Sequence, residues 1–282
     1  FSIDIPRCKG VGLDISQAAA VFNIPTHIKG YESYEGLSES EVVIITAGIP
    51  RTPNMTRDDL LLKNAHIMRE VSQNVAKIAP NALLLIVSNP LDAMCLVAKH
   101  ASGFDKQRII GMAGVLDGAR LGYESKVLLN DFQTPIKPYV IGSHSDDMLP
   151  LLRHSLYGAE NLADRLDLDS QQNLIRETKN GGAKIVSYYQ QGSAYFAPAS
   201  AVVKMLELIA NPQDEEVVCS VYIQGEYGLQ GIYIGLPIKL GKKGVEKIVN
   251  LTLNKQEQEI LKISAQGIKK QVEILKNNGL LN

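Results

Sequence analysis

Short unbroken apolar runs punctuate the first half of the chain. Residues 41–48, EVVIITAG, and 82–90, ALLLIVSNP, are each apolar for a few positions and end in turn residues, the pattern of strands buried on both faces of a parallel sheet. Between them the period lengthens to that of a helix. Thr56 with Asp59 three places on has capping-box spacing, and Leu60, Ile67, Met68, Val71, Val75 and Ile78 recur at helical intervals up to Pro80. A helix from Ala93 to Ser102 and a third run, RIIGMAG at 108–114, continue the alternation. Strand and helix in turn predict an α/β fold with a Rossmann-type doubly wound parallel sheet, whose ligands sit beyond the carboxyl ends of its strands.

After Leu116 the texture changes. A helical stretch runs from Asp117, KPYVIGSHSDD follows, and strands such as GIYIGLPIKLG lie close to turn glycines, which predicts an α+β domain over 117–282 after a first domain over 1–116. The last helix is amphipathic, with Leu261, Ala265, Ile268, Val272 and Leu275 on one face. No internal repeat or low-complexity linker marks a clean break between the halves.

Composition narrows the function classes. Across 282 residues, 29 Lys+Arg against 30 Asp+Glu leave a formal charge of −1, so no overall field draws the chain to nucleic acid or to an anionic membrane. Any positive charge that matters is local. Cys8, Cys95 and Cys219 are widely spaced without a C-x-x-C pair, which suits free thiols in a reducing, cytoplasmic setting. The apolar runs are far too short to span a bilayer.

Four clusters then carry candidate chemistry. The loop AGIPRTPNMTR leaves the carboxyl end of a predicted strand and holds Arg51 and Arg57; these are either solvated charges or bidentate donors for a substrate with two carboxylates. VSNPLD places Asn89 at the next strand end, either a turn residue or an amide aimed at a substrate or cofactor. GMAGVLDGAR sets Asp117 three residues before Arg120, the spacing of a simple helix-surface ion pair or of two groups with separate tasks. IGSHSDD presents His144 among small residues, a structural histidine or a catalyst. Asp146, Asp147 and His154 lack the spacing of a metal motif, so no metal is expected.

Taken in order, TAGIPRTPNMTRDDLLLKNAHIM, VSNPLDAM, GMAGVLDGAR, IGSHSDDMLPLLR and NGGAKIVSYYQQGSAYFAPA closely resemble the lactate/malate dehydrogenase superfamily over most of the chain. Arg51 points to its malate-type members, because the lactate-type members usually carry glutamine there. The resemblance implies oxidation of malate to oxaloacetate with NAD. It makes His144 the general acid/base, Asp117 its orienting partner, Arg120 the clamp on the C1 carboxylate, Arg57 the group polarising the C2 oxygen and Arg51 the ligand of the C4 carboxylate. Asn89 would touch substrate and nicotinamide, with Asn64, Val87 and Ser88 completing the cofactor site. A homodimer or homotetramer is implied.

One part of the pattern departs from the family. No G-x-G-x-x-G is present, and KGVGLDIS carries glycines only at 10 and 12, so the first strand and phosphate loop are expected to lie upstream of Phe1. Counted back without a gap from Gly10, the family's ribose-binding acid falls on Ser2; a small deletion would make Asp4 that residue. The competing functions are a lactate or other 2-hydroxyacid dehydrogenase, separated by Arg51, and a catalytically silent binding or structural paralogue. The joint presence of His144, Asp117, Arg120, Arg57 and Asn89 argues against the last.

Overall fold

The computed structural model describes residues 5–50, 55–190 and 192–281. Arg51 and Asp4 lie outside the described residues. A helix absent from the sequence reading, α1 (Ile5–Val21), comes first. The predicted alternation follows as β1 (Val42–Ile45), α2 (Arg57–Ile78), β2 (Leu83–Ile86), α3 (Leu91–Ser102) and β3 (Ile109–Gly111). These three strands are parallel, with Val43 opposite Leu84 and Leu85 opposite Ile110. All four residues of β2 are buried, as a central strand requires. The expectation of full burial fails for β1, an edge strand, where Ile44 is 40% exposed between buried Val43 and Ile45, so that only one face of the strand is covered.

α2 starts where the capping box places it. The Thr56 hydroxyl accepts the Asp59 N–H at 3.0 Å, and the Asp59 carboxylate accepts the Thr56 N–H at 3.0 Å. Two orphan donors of the first turn are thereby satisfied.

The second half extends the first sheet and adds two small sheets of its own. After α4 (Ala113–Leu129) come the short strands β4 (Ile136–Lys137), β5 (Val140–Ile141), β6 (Leu149–Pro150), β7 (Leu156–Tyr157) and β8 (Glu160–Asn161), which pair as β4-β7-β8 and β5-β6, then helices α5 (Leu168–Tyr189) and α6 (Phe196–Ala210). The long strands β9 (Glu216–Gln224), β10 (Gln230–Gly241) and β11 (Gly244–Ile248) then extend the parallel strands in the order β1-β2-β3-β9-β10-β11. The join between β3 and β9 is the antiparallel pair Gly111–Ser220. A Cβ on Gly111 would lie 2.5 to 2.8 Å from Leu91, Cys95 and Ser220, so the seam closes only around a residue without a side chain. α4 begins at Ala113, four residues before the predicted start, so residues 116 and 117 fall inside one helix.

The closing helix, α7 (Lys255–Asn277), buries the predicted face: Leu261, Ala265, Ile268, Val272 and Leu275 all enter the main core. Each such leucine or isoleucine contributes roughly 1.5–3 kcal/mol of burial. A second cluster around Leu121, Val140, Met148, Leu152 and Leu174 fixes α4 and α5 against the short strands. Among the described residues, no helix is long and apolar enough to cross a membrane.

Candidate active site

The site is organised around the loop that follows β5. Gly142 exchanges backbone hydrogen bonds of 2.9 Å with Gly235 of β10 in both directions. Its φ of +91° is a conformation that favours glycine, and a Cβ there would lie 2.8 Å from the Ser264 hydroxyl. That hydroxyl, on α7, accepts the Ser143 N–H at 2.6 Å. The His144 N–H donates to the Asp92 carboxylate of α3 at 2.9 Å. Three elements distant in sequence therefore hold the main chain of three successive residues.

A fourth element orients the ring. Asp117, on α4, is 2% exposed and its carboxylate lies 2.7 Å from His144 Nδ1. A carboxylate at that distance fixes the proton on Nδ1 and leaves the Nε2 lone pair outward. The other Asp117 oxygen accepts from Arg120 at 2.9 Å. The i, i+3 spacing of Asp117 and Arg120 is thus neither a surface pair nor incidental, since both side chains are largely buried. Among the described residues, buried Arg120 Nε has no hydrogen-bond partner, which leaves guanidinium valence beside the histidine. The pair Gly181–Gly182 of α5 gives that guanidinium its space: a Cβ on Gly181 would lie 3.2 Å from Arg120 Cδ, and one on Gly182 would lie 3.0 Å from Nη2.

Electrostatics follow from this arrangement. Burial alone would lower the pKa of His144, but the charge and hydrogen bond of Asp117, with help from Asp92, outweigh it and leave the pKa raised. Asp92 is pushed up to about 6 by burial, against the hydrogen bonds from Ser220 and His144. Burial also raises the Cys95 and Cys219 thiols, which removes them as nucleophiles.

The strand-end residues form the adjoining wall. Val87 follows β2, and its N–H donates to the Ile45 carbonyl at 2.9 Å. Ser88 is buried with its hydroxyl donating to the Ala47 carbonyl at 2.5 Å. Asn89 is exposed, and the Asn89–Pro90 peptide bond is cis. Asn64 is buried; its amide accepts from Ile49 N–H at 2.8 Å and donates to the carbonyls of Ile49 at 3.2 Å and Asn89 at 2.7 Å. It ties the loop leaving β1 to the turn leaving β2. Arg57, at the first position of α2, is exposed and lies 3.8 Å from Asp146 of the histidine loop. His144, Asp117 and Arg120 are in contact, and the loop of Arg57 meets the loop of His144. His154 is elsewhere, 3.2 Å from the Thr252 carbonyl.

Profiles of the lactate/malate dehydrogenases match both halves: the "lactate/malate dehydrogenase, NAD binding domain" over residues 2–111 and the "lactate/malate dehydrogenase, alpha/beta C-terminal domain" over 115–278. The chain belongs to the lactate/malate dehydrogenase family. Within that family, a malate dehydrogenase of Helicobacter hepaticus is 69% identical over 281 residues, covering 100% of this chain and 89% of its own. The crystal structure of Cryptosporidium parvum malate dehydrogenase superposes with a TM-score of 0.92 at 36% identity, covering 96% of this chain and 88% of that one. The lactate dehydrogenase of the same organism, solved with lactic acid and nicotinamide adenine dinucleotide, gives 0.93 at 33% identity, covering 98% and 89%.

The sequence reading missed Asp92, Ser220 and Ser264, and did not foresee the space made by Gly181 and Gly182. Asp92 stands inside VSNPLD, three residues after Asn89, and an acid in the first turn of a helix that is otherwise apolar up to Ala98 was the available signal. Ser220 and Ser264 carry no local signal.

Proposed function

We propose that this member of the lactate/malate dehydrogenase family is an NAD-dependent malate dehydrogenase. The observation that carries the mechanism is the buried His144–Asp117–Arg120 set, with a carboxylate on Nδ1 and a guanidinium beside the ring. The nicotinamide end of the cofactor fits the wall beside it: Ser88 and Asn64 spend their polar atoms on fixing the Ala47, Ile49 and Asn89 backbones, leaving Asn89 exposed. A Cβ on Gly48 would press the Asn64 amide at 3.2 Å, so glycine lets the strand end approach it. Val87, Ser88 and Asn89 are assigned to the nicotinamide, Asn64 acts through the backbone it holds, and Asp4 is assigned to the adenosine ribose.

NAD, held by Val87, Ser88 and Asn89, would supply the hydride acceptor for C2 of malate and, once reduced, the hydride donor for oxaloacetate. His144 Nε2 takes the C2 hydroxyl proton in oxidation and gives it back in reduction. Asp117 stabilises the imidazolium so formed. Arg120 binds the C1 carboxylate through the guanidinium edge that Asp117 leaves available. Arg57 exchanges its exposed contact with Asp146 for the C2 oxygen, where negative charge develops in reduction. Arg51 takes the C4 carboxylate, and this assignment selects malate over lactate.

Oxaloacetate-dependent and pyruvate-dependent NADH absorbance loss, measured side by side, tests the reading. Oxaloacetate is the expected better substrate, and Arg51→Gln is expected to narrow the difference. A preference for pyruvate makes the protein a lactate-type enzyme. Turnover of neither substrate by folded, NADH-binding protein makes it a silent paralogue.

The functional division is assigned to residues 1–116 for cofactor and 117–282 for substrate. A cytoplasmic homodimer or homotetramer is the proposed state, supported by large apolar side chains left exposed on α1, α5 and α6, among them Val21, Tyr188 and Phe196.

A further inference from the structure

We infer that Asp92 is a positioning residue for the acid/base histidine: a buried carboxylate, tethered by Ser220, that holds the His144 main chain and puts a second negative charge near its ring. The inference rests on the proposed role of His144.

Both oxygens of Asp92 are committed. One accepts the His144 N–H at 2.9 Å, and the other accepts the Ser220 hydroxyl at 2.5 Å. Ser220 is fully buried on β9 at the β3–β9 seam, and Asp92 is 4% exposed in the first turn of α3. A buried carboxylate is costly unless its oxygens are bonded, and both bonds here are made to groups that ordinary packing could have satisfied without a charge. A helix supplying its own acid at that point, beside a histidine already paired to a second acid, is an expensive way to hold a loop. The expense has a return in geometry. Asp117 fixes the ring at Nδ1 and Asp92 fixes the peptide from which the ring hangs, so Nε2 is located from two directions.

The charged groups acting on His144 come from two helices, Asp117 and Arg120 on α4 and Asp92 on α3; Asp146 and Asp147 follow two and three residues later on its own loop, with Asp146 paired to Arg57 of α2. Asp92 raises the histidine's proton affinity while Arg120 lowers it. Neutralising Asp92 therefore lowers the affinity.

The test uses the full chain with Asp92→Asn, which can keep both hydrogen bonds but loses the charge, and Asp92→Ala, which loses both. Misplacement of a catalytic group by about 1 Å costs up to about 100-fold, so kcat for oxaloacetate in the alanine variant should fall about 10- to 100-fold while the NADH Kd stays within about twofold. The asparagine variant should recover most of that rate. In NMR titration of the cofactor-free protein, it should also shift the His144 imidazole pKa downward. A rate loss in Asp92→Ala fully explained by fewer NADH-binding molecules reduces Asp92 to a structural part and overturns the inference. So does an unshifted imidazole in Asp92→Asn, which decides the matter even if the alanine variant does not fold. A parent protein inactive on every 2-oxoacid would overturn the proposed function instead, and the titration would still report on Asp92.

Discussion

Gly182→Ala should make the protein more stable and less active, for reasons traceable to one atom. Gly182 lies inside α5, where alanine is favoured over glycine by about 1 kcal/mol through reduced backbone entropy in the unfolded chain. The added Cβ would sit 3.0 Å from Arg120 Nη2, a few tenths of an ångström inside ordinary contact. That neighbour is the far end of a flexible side chain, so it yields cheaply and the helix keeps nearly all of the gain. For a chain of 282 residues, 1 kcal/mol corresponds to about 1–2 °C in Tm. The yielding atom, however, belongs to the guanidinium proposed to clamp the substrate carboxylate. A charge-assisted hydrogen bond contributes about 1.5–3 kcal/mol, and losing half of one lowers kcat/KM by roughly 4- to 13-fold. The assays are thermal unfolding by circular dichroism and steady-state NADH consumption at varied oxaloacetate. A variant with unchanged kcat/KM would refute the assignment of Arg120 as the clamp. One that is markedly destabilised would refute the claim that the guanidinium is the yielding partner.

Three further outcomes follow from the same geometry. Asp117→Asn removes the charge from a 2.7 Å bond to His144, and at about 1.5–3 kcal/mol for such a bond kcat/KM should fall about 10- to 100-fold, with the His144 pKa lowered in NMR titration. Because that pKa is raised above its ordinary value, oxaloacetate reduction, which needs the imidazolium, should fall as pH climbs through it, while malate oxidation rises; a pH profile of kcat/KM in both directions checks the opposed signs. The stability that the raised value confers is complete below the unfolded histidine pKa and is lost over the same climb. Asn254→Ala breaks the capping box of α7, in which Asn254 accepts the Glu257 N–H at 2.9 Å, and should cost about 1 kcal/mol in urea unfolding without altering kcat.

Features encoded by neighbours in sequence were legible. The Thr56–Asp59 box and the buried stripe of α7 each need only a few residues of context, and both are where the pattern places them. That His144, Asp117 and Arg120 belong together was legible only through the order of their motifs, since each alone had an ordinary alternative. Long-range closure was not legible. Asp92 reaches His144 across 52 positions and Ser220 across 128, and a hydroxyl that matters only when folded leaves no periodicity. α5 carries the consecutive glycines 181 and 182, which weaken its helical pattern, and their reason lies on α4. α4 starts ahead of Asp117 because Ala113 and Gly114 are recruited by packing: a Cβ on Gly114 would strike Val218 of β9 at 2.3 Å.

The Gly111–Ser220 join has a consequence for how such a protein can be altered by recombination. The two family profiles meet between residues 111 and 115, which invites exchange of halves between relatives at that point. The cut would fall beside the one strand pairing that, among the described residues, unites the parallel and antiparallel parts of the sheet, and Ser220 on the far part also tethers Asp92 on the near one. A chimaera therefore keeps the closed seam and the Ser220–Asp92–His144 tether only if both parents agree at positions 92, 111 and 220, so the halves are heritable as a pair and not as interchangeable modules.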